Sequence, residues 1–131
     1  MTMQDNPFLA SLGARLVVWE ENRAEVECEL RPDLLNRSGA VQGGVLATLI
    51  DVACGYSGLY SADPQEEKHA VTITMSVNYV GRVESGALRA VGTRYGGGRK
   101  VFFSRADIYD AKGNLVASGQ CAHKYLPSRR S

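Results

Sequence analysis

The sequence predicts an α+β domain: one antiparallel sheet of about six strands and one long, buried helix. Three observations predict it. First, several stretches alternate apolar and polar residues with the period of a half-buried strand. The clearest sets Ala24, Val26, Cys28 and Leu30 against Arg23, Glu25, Glu27 and Glu29. Second, short turn-forming stretches join these segments, which implies antiparallel pairing. Third, one segment, from about residue 42 to 61, is apolar on nearly every side, as befits a helix enclosed by other elements.

The elements follow in order. Asn6-Pro7 opens a short helix over residues 6–12, with Asn6 as its cap and Pro7 at its first position. Residues 15–19 and 23–30 form a hairpin around Glu20-Glu21-Asn22. Pro32 ends the second strand, and a loop runs to Ala40. The long helix comes next, then a polar linker, Asp63 to Lys68. Val71, Ile73, Met75, Val77 and Tyr79 alternate strictly with Thr72, Thr74, Ser76 and Asn78. Strands over 88–95, 101–109 and 115–126 complete the sheet, separated by Gly96-Gly97-Gly98 and by Asp110 to Asn114. The tail from about residue 127 is expected to be disordered. A sheet that buries a helix on all sides must curl about it or borrow a second subunit. Association with a copy of itself is the economical solution.

All 131 residues fit one domain, enough chain to bury roughly two-thirds of its unfolded surface. Fifteen Lys and Arg balance fourteen Asp and Glu. No basic stripe points to nucleic acid, and the cluster Ser128-Arg129-Arg130 reads as a solvated tail. Cys28, Cys54 and Cys121 lie far apart without paired spacing, which argues against a disulfide framework or a zinc site. His69 and His123 are too few and too separated for a metal cluster. The opening MTMQDNPF has neither the basic nor the apolar region of a signal peptide. The long apolar stretch is broken by Gly, Ser, Thr and Asp51, so no membrane span is expected. The cytoplasm is the expected compartment.

Asp51 is the only formally charged residue between Arg37 and Asp63. A buried carboxylate must find a partner or shift its pKa. Two readings stand: a reactive acid, or a structural one satisfied by backbone amides or by Thr48. Gly43 and Gly44 sit at the first helical turn, whose amides have no partner within the helix. Those amides can hold an anion or a polarised carbonyl. The pair can equally serve close packing, and the glycines alone favour packing. Asp51 lies eight residues after Gly43, roughly 12 Å along one helix. A carboxylate must reach within roughly 3–3.5 Å of a carbon it attacks. If both groups serve one site, two antiparallel helices from two subunits must build it.

Asn36, Gly39, Gln42, Gly43 and Gly44, followed by Asp51, match the motif N-x-x-G-x-x-H-G-G and its later aspartate. The order of helix, polar linker and a strand ending Ser76-Val77-Asn78-Tyr79-Val80 matches too. With these residues the chain resembles the hotdog-fold acyl-CoA thioesterases of the PaaI type, from about Asn6 to Leu126. The resemblance implies a hotdog fold, dimers often paired into tetramers, no cofactor, and hydrolysis of a coenzyme A thioester. It implies Asp51 as nucleophile or general base and the Gly43 amide of the other subunit as oxyanion donor. It further implies Asn36 and Gln42 as orienting groups, Gly44 beside the substrate, and Thr72 assisting the water. Arg99 and Lys100 are the candidates for the coenzyme A phosphates, ahead of Arg82. Taken alone, Thr72 in an alternating strand reads as solvent-facing. Tyr56 and Tyr60 are pocket candidates, though neither is assigned to substrate.

Gln42 departs from the pattern by replacing the usual histidine. Glutamine hydrogen-bonds but does not titrate near neutrality. That keeps a non-catalytic acyl-CoA binder as an alternative. A hotdog dehydratase or hydratase ranks lower, because it needs a histidine paired with an acid. Neither His69 nor His123 lies in a comparable place in the sequence.

Overall fold

The computed structural model describes residues 6–127. The expectations for the first five residues and for the Ser128-Arg129-Arg130 tail lie outside the described residues. Helix α1 (Pro7–Leu12) is capped by the Asn6 side chain, which accepts from the Phe8 and Leu9 amides. Strands β1 (Arg15–Glu20) and β2 (Arg23–Glu29) form the expected hairpin. A single 3-10 turn (Pro32–Leu34) leads towards helix α2 (Gly43–Ser57). Strands β3 (Ala70–Tyr79), β4 (Ala87–Gly97), β5 (Val101–Tyr109) and β6 (Leu115–Tyr125) follow.

All six strands join in one antiparallel sheet, in the order β1-β2-β4-β5-β6-β3. The sheet curls around α2, giving the hotdog fold that the sequence pattern predicts. Strand β3 does not pair with its successor β4. It crosses to the far edge and pairs with β6. The segment Val80–Gly86 makes that crossing and is tied down on the way. Val80 and Gly81 both donate to the Val116 carbonyl, and Val41 donates to that of Val83.

Leu49, Ile50, Ala53 and Cys54 of α2 are fully buried against Val26, Leu88, Ala90, Ala106 and Ile108 of the sheet. The contact is close because Gly92 lies under the helix. A β-carbon there would stand 2.2 Å from the Ala53 carbonyl oxygen. Helix α2 ends at Ser57, four residues before the expected Ser61. Gly58 closes it, donating to the Gly55 carbonyl at 3.1 Å. The Phe102 ring occupies the space a β-carbon on Gly58 would need, 2.3 Å away. Beyond that point the chain turns, and Trp19 donates to the Tyr56 carbonyl at 2.8 Å, fixing the helix end to β1. No described helix is long and apolar enough to cross a membrane.

Candidate active site

Three side chains from three elements meet on the inner face of the sheet. Asp51 comes from the middle of α2, Thr72 from β3 and His123 from β6. The Thr72 hydroxyl donates to Asp51 Oδ1 at 2.6 Å. His123 Nε2 lies 3.2 Å from the Thr72 hydroxyl and 3.5 Å from Asp51 Oδ1. Both contacts fall on the same carboxylate oxygen; among the described residues Oδ2 has no hydrogen bond. The Asp51 side chain keeps 39 % of its surface exposed, whereas that of His123 keeps 4 %.

Thr72 reaches this face because β3 is irregular. A bulge between Thr72 and Thr74 shifts the register against β6. Thr72 pairs with His123, while Met75, Val77 and Tyr79 pair with Cys121, Gly119 and Ala117. Thr72 therefore shares the helix-facing side with Met75, Val77 and Tyr79, not with Thr74 and Ser76. The strict alternation expected from the sequence would have turned it to the outer face. A bulge that re-aims a side chain beside a site is a recurrent device. Thr72 stays exposed in the protomer, as the solvent-facing reading expects, but its hydroxyl is bound to the acid.

Burial pushes the Asp51 carboxyl upward. The hydrogen bonds from His123 and Thr72, and the electrostatic pull of His123, outweigh burial and hold it below the ordinary aspartate value. The acid stays ionised without backbone amides or Thr48, whose hydroxyl instead donates to the Gly44 carbonyl at 2.8 Å. Cys54, one turn along α2, is no rival nucleophile. Its hydrogen bond with Cys121, followed by burial, raises its thiol far above the normal range.

The helix entrance lies at the other end of α2. Gln42 occupies the cap position in extended conformation, but its side chain makes no capping bond and is exposed. Among the described residues the Gly43 and Gly44 amides find no acceptor. The Tyr79 hydroxyl donates to the Gly43 carbonyl at 3.2 Å, and the space beside Gly44 is open. Asn36 spends its side-chain oxygen on its own loop, accepting from Ser38 N and Oγ at 2.9 Å and from Ala40 N at 3.2 Å. Within one protomer these groups and Asp51 sit at different points along one helix.

Arg99 borders a surface groove of about 370 Å³ with Lys68, His69, Arg94 and Tyr125. Tyr125 is two residues beyond His123 on β6, so the groove opens at the same end of the sheet as the acid. Lys100 is exposed in the same turn, and Arg82 is occupied with Glu84 and Ser38. Tyr56 and Tyr60 pack edge-on against Trp19. Tyr56 is five residues from Asp51, roughly 140° around the helix, so it faces β1 and not the acid.

The sequence missed His123. It stands at an inward position of β6, between Cys121 and Tyr125, where a lone histidine is indistinguishable from core. Its proximity to Asp51 is a pairing that its place in the sequence did not suggest.

A sequence model of the thioesterase superfamily matches residues 38–117, more than half of the chain. The chain belongs to the thioesterase superfamily. It is 27 % identical to a conserved protein of Pseudomonas aeruginosa, with a TM-score of 0.86, covering 95 % of this chain and 97 % of that one. A thioesterase of Haemophilus influenzae shares the fold at 20 % identity, with a TM-score of 0.84 over 95 % of this chain and 85 % of its own. A Saccharolobus solfataricus protein provisionally named an esterase is 26 % identical over 106 residues, 81 % of this chain and 74 % of the relative. The present thioesterase is a thioester hydrolase, and its ionised helix-borne acid is suited to that chemistry.

Proposed function

We propose that this thioesterase hydrolyses coenzyme A thioesters to free acid and coenzyme A, at a cleft shared by two copies of the chain. One observation carries the reading: an ionised carboxylate, held through one oxygen with the other open, in an otherwise apolar helix that begins with unpartnered amides. Its acid, glycine pair and Asn36 support membership of the PaaI type.

Asp51 acts as base or nucleophile. As base it takes a proton from water, and the hydroxide oxygen bonds to the thioester carbon. As nucleophile it bonds to that carbon itself and gives an anhydride, which water then cleaves. In both routes the carbon–sulfur bond breaks and coenzyme A leaves as thiolate. Charge builds on the carbonyl oxygen, and the Gly43 amide of the second copy is the donor for it. Gln42 and the Asn36 amide nitrogen orient the thioester. Gly44 gives the substrate room. Arg99 and Lys100 meet the phosphates of coenzyme A; no separate cofactor is required.

The second copy is supported by β3. This ten-residue strand is an unpaired sheet edge, and Val71, Ile73, Met75 and Tyr79 are all exposed. A long apolar edge left open is an association site. Pairing two such edges joins the sheets and brings two α2 helices side by side; a further pairing makes a dimer of dimers. Three free cysteines, Cys28, Cys54 and Cys121, suit a reducing cytoplasm. The dehydratase reading needs a histidine that reaches substrate. His123 points its Nε2 at Thr72 and Asp51 and has Nδ1 buried.

The test is thiol release across aromatic, short and long acyl-CoA substrates. The wild type releases thiol, and Asp51→Asn lowers kcat by roughly 10²–10⁴-fold while the oligomer persists. Binding of acyl-CoA without turnover, even at high enzyme concentration, overturns the proposal in favour of a binding protein.

A further inference from the structure

His123 is the buried titratable group that the proposed chemistry leaves without a task. Its Nδ1 is buried and, among the described residues, has no hydrogen-bond partner. Its ring lies parallel to that of Phe102, with centroids 5.1 Å apart and planes 8° from parallel. Its Nε2 meets the Thr72 hydroxyl, which already donates its own hydrogen to Asp51 Oδ1. The hydroxyl has one hydrogen, so the ring must supply the other. An N–H at Nδ1 would be buried without an acceptor, which is costly. The proton therefore sits on Nε2, and the chain of donors runs from His123 Nε2–H to Thr72 Oγ1 and from Thr72 O–H to Asp51 Oδ1.

Gly55, in the last turn of α2, leaves room for the ring. A β-carbon there would stand 3.3 Å from His123 Nε2, tight against the ring. The glycine thus sits beside the one nitrogen that faces the acid.

We infer that His123 is the positioning residue of the reactive carboxylate. Acting through Thr72, it fixes Oδ1 and the plane of the carboxyl group, and so aims Oδ2 at the substrate. The inference rests on Asp51 being the reactive acid. It requires no contact between His123 and substrate.

The glutamine amide nitrogen can stand where Nε2 stands, whereas asparagine places its amide nearer the Nδ1 position. Phenylalanine keeps the stack on Phe102 and removes the donor. Expected is that His123→Gln retains kcat within a few-fold of wild type. His123→Asn and His123→Phe should lower kcat by roughly 10–100-fold with KM nearly unchanged, the mark of an interaction realised in the transition state. Thr72→Val should cost a similar factor, and adding it to His123→Phe should cost little more, because both cut one chain. Equal kcat in His123→Phe and wild type overturns the inference, as does His123→Gln falling with His123→Phe.

Nitrogen-15 NMR of the wild-type imidazole rings reads the tautomer directly, without any variant and without turnover. The chain holds only two histidines, so Asp51→Asn and His69→Gln spectra assign them. A proton on Nε2 supports the inference, and a proton on Nδ1 overturns it. Should no acyl-CoA be turned over while Nε2 carries the proton, the substrate proposal fails and the donor chain stands.

Discussion

Asp51 carries its charge because Thr72 and His123 together outweigh its burial. Its carboxyl is held below the ordinary aspartate value of 3.8 in the folded chain. Ionisation therefore favours the fold. That contribution is complete above the unfolded value and is lost as pH falls through the folded one. The same displacement should appear in catalysis. The acid limb of kcat/KM in the wild type should lie below the ordinary aspartate value. Thr72→Val removes one of the groups that lower it, so its limb should move upward. A wild-type limb at or above the ordinary value contradicts the account, as does a limb that Thr72→Val leaves unmoved. The side chain is more than a third exposed, so solvent screening keeps its share of the stability small.

At the level of elements, α2 depends on close contact with the sheet. Gly92→Ala places a β-carbon against the Ala53 carbonyl at a separation no real contact tolerates. Helix and strand must part, and urea denaturation should show a loss of roughly 1–3 kcal/mol, the usual cost of overpacking. An unchanged midpoint would mean that the helix does not sit there. Strand β3 shows where sequence reading stops. The residues 71–79 are unmistakably a strand, and their alternation is strict. Yet a bulge depends on how β6 pairs with them, which is a property of two segments and not of one. The alternation therefore gave Thr72 the wrong face. His123 was hidden for the same reason: its partners come from α2 and β3, so nothing near it in the chain marks it. The end of α2 was overrun because Leu59 and Tyr60 continue the apolar pattern. What stops the helix is the Phe102 ring over Gly58, contributed by β5. By contrast, the cap of α1 acts locally: Asn6 accepts from the amides two and three residues on, with Pro7 at the first helical position, and both were legible.

For the whole molecule, the open edge of β3 and the position of the reactive groups make one statement. Val71 and Ile73 are 47 % and 52 % exposed on an unpaired edge. A protein that left them in water would aggregate, so the solution mass should be at least that of a dimer. Light scattering checks this directly, and Val71→Lys with Ile73→Lys should shift the mass towards the protomer. Within one chain, Gly43 and Asp51 belong to separate ends of the reaction machinery. In the proposed cleft, a second copy brings the amide of one helix to the acid of the other.

Subunit complementation tests that claim most directly. Gly43→Pro removes the amide at a position where helices accept proline, and Gln42 before it is already extended. Asp51→Asn removes the acid. Each variant alone should be inactive in thiol release. When the two are unfolded, mixed and refolded together, half of the dimers are mixed, and each mixed dimer holds one intact cleft of two. Activity should then recover to roughly a quarter of wild type, as a closed two-fold dimer requires. No recovery, with mixed dimers verified by mass, would place the acid and the amide of each site in a single chain and contradict the account.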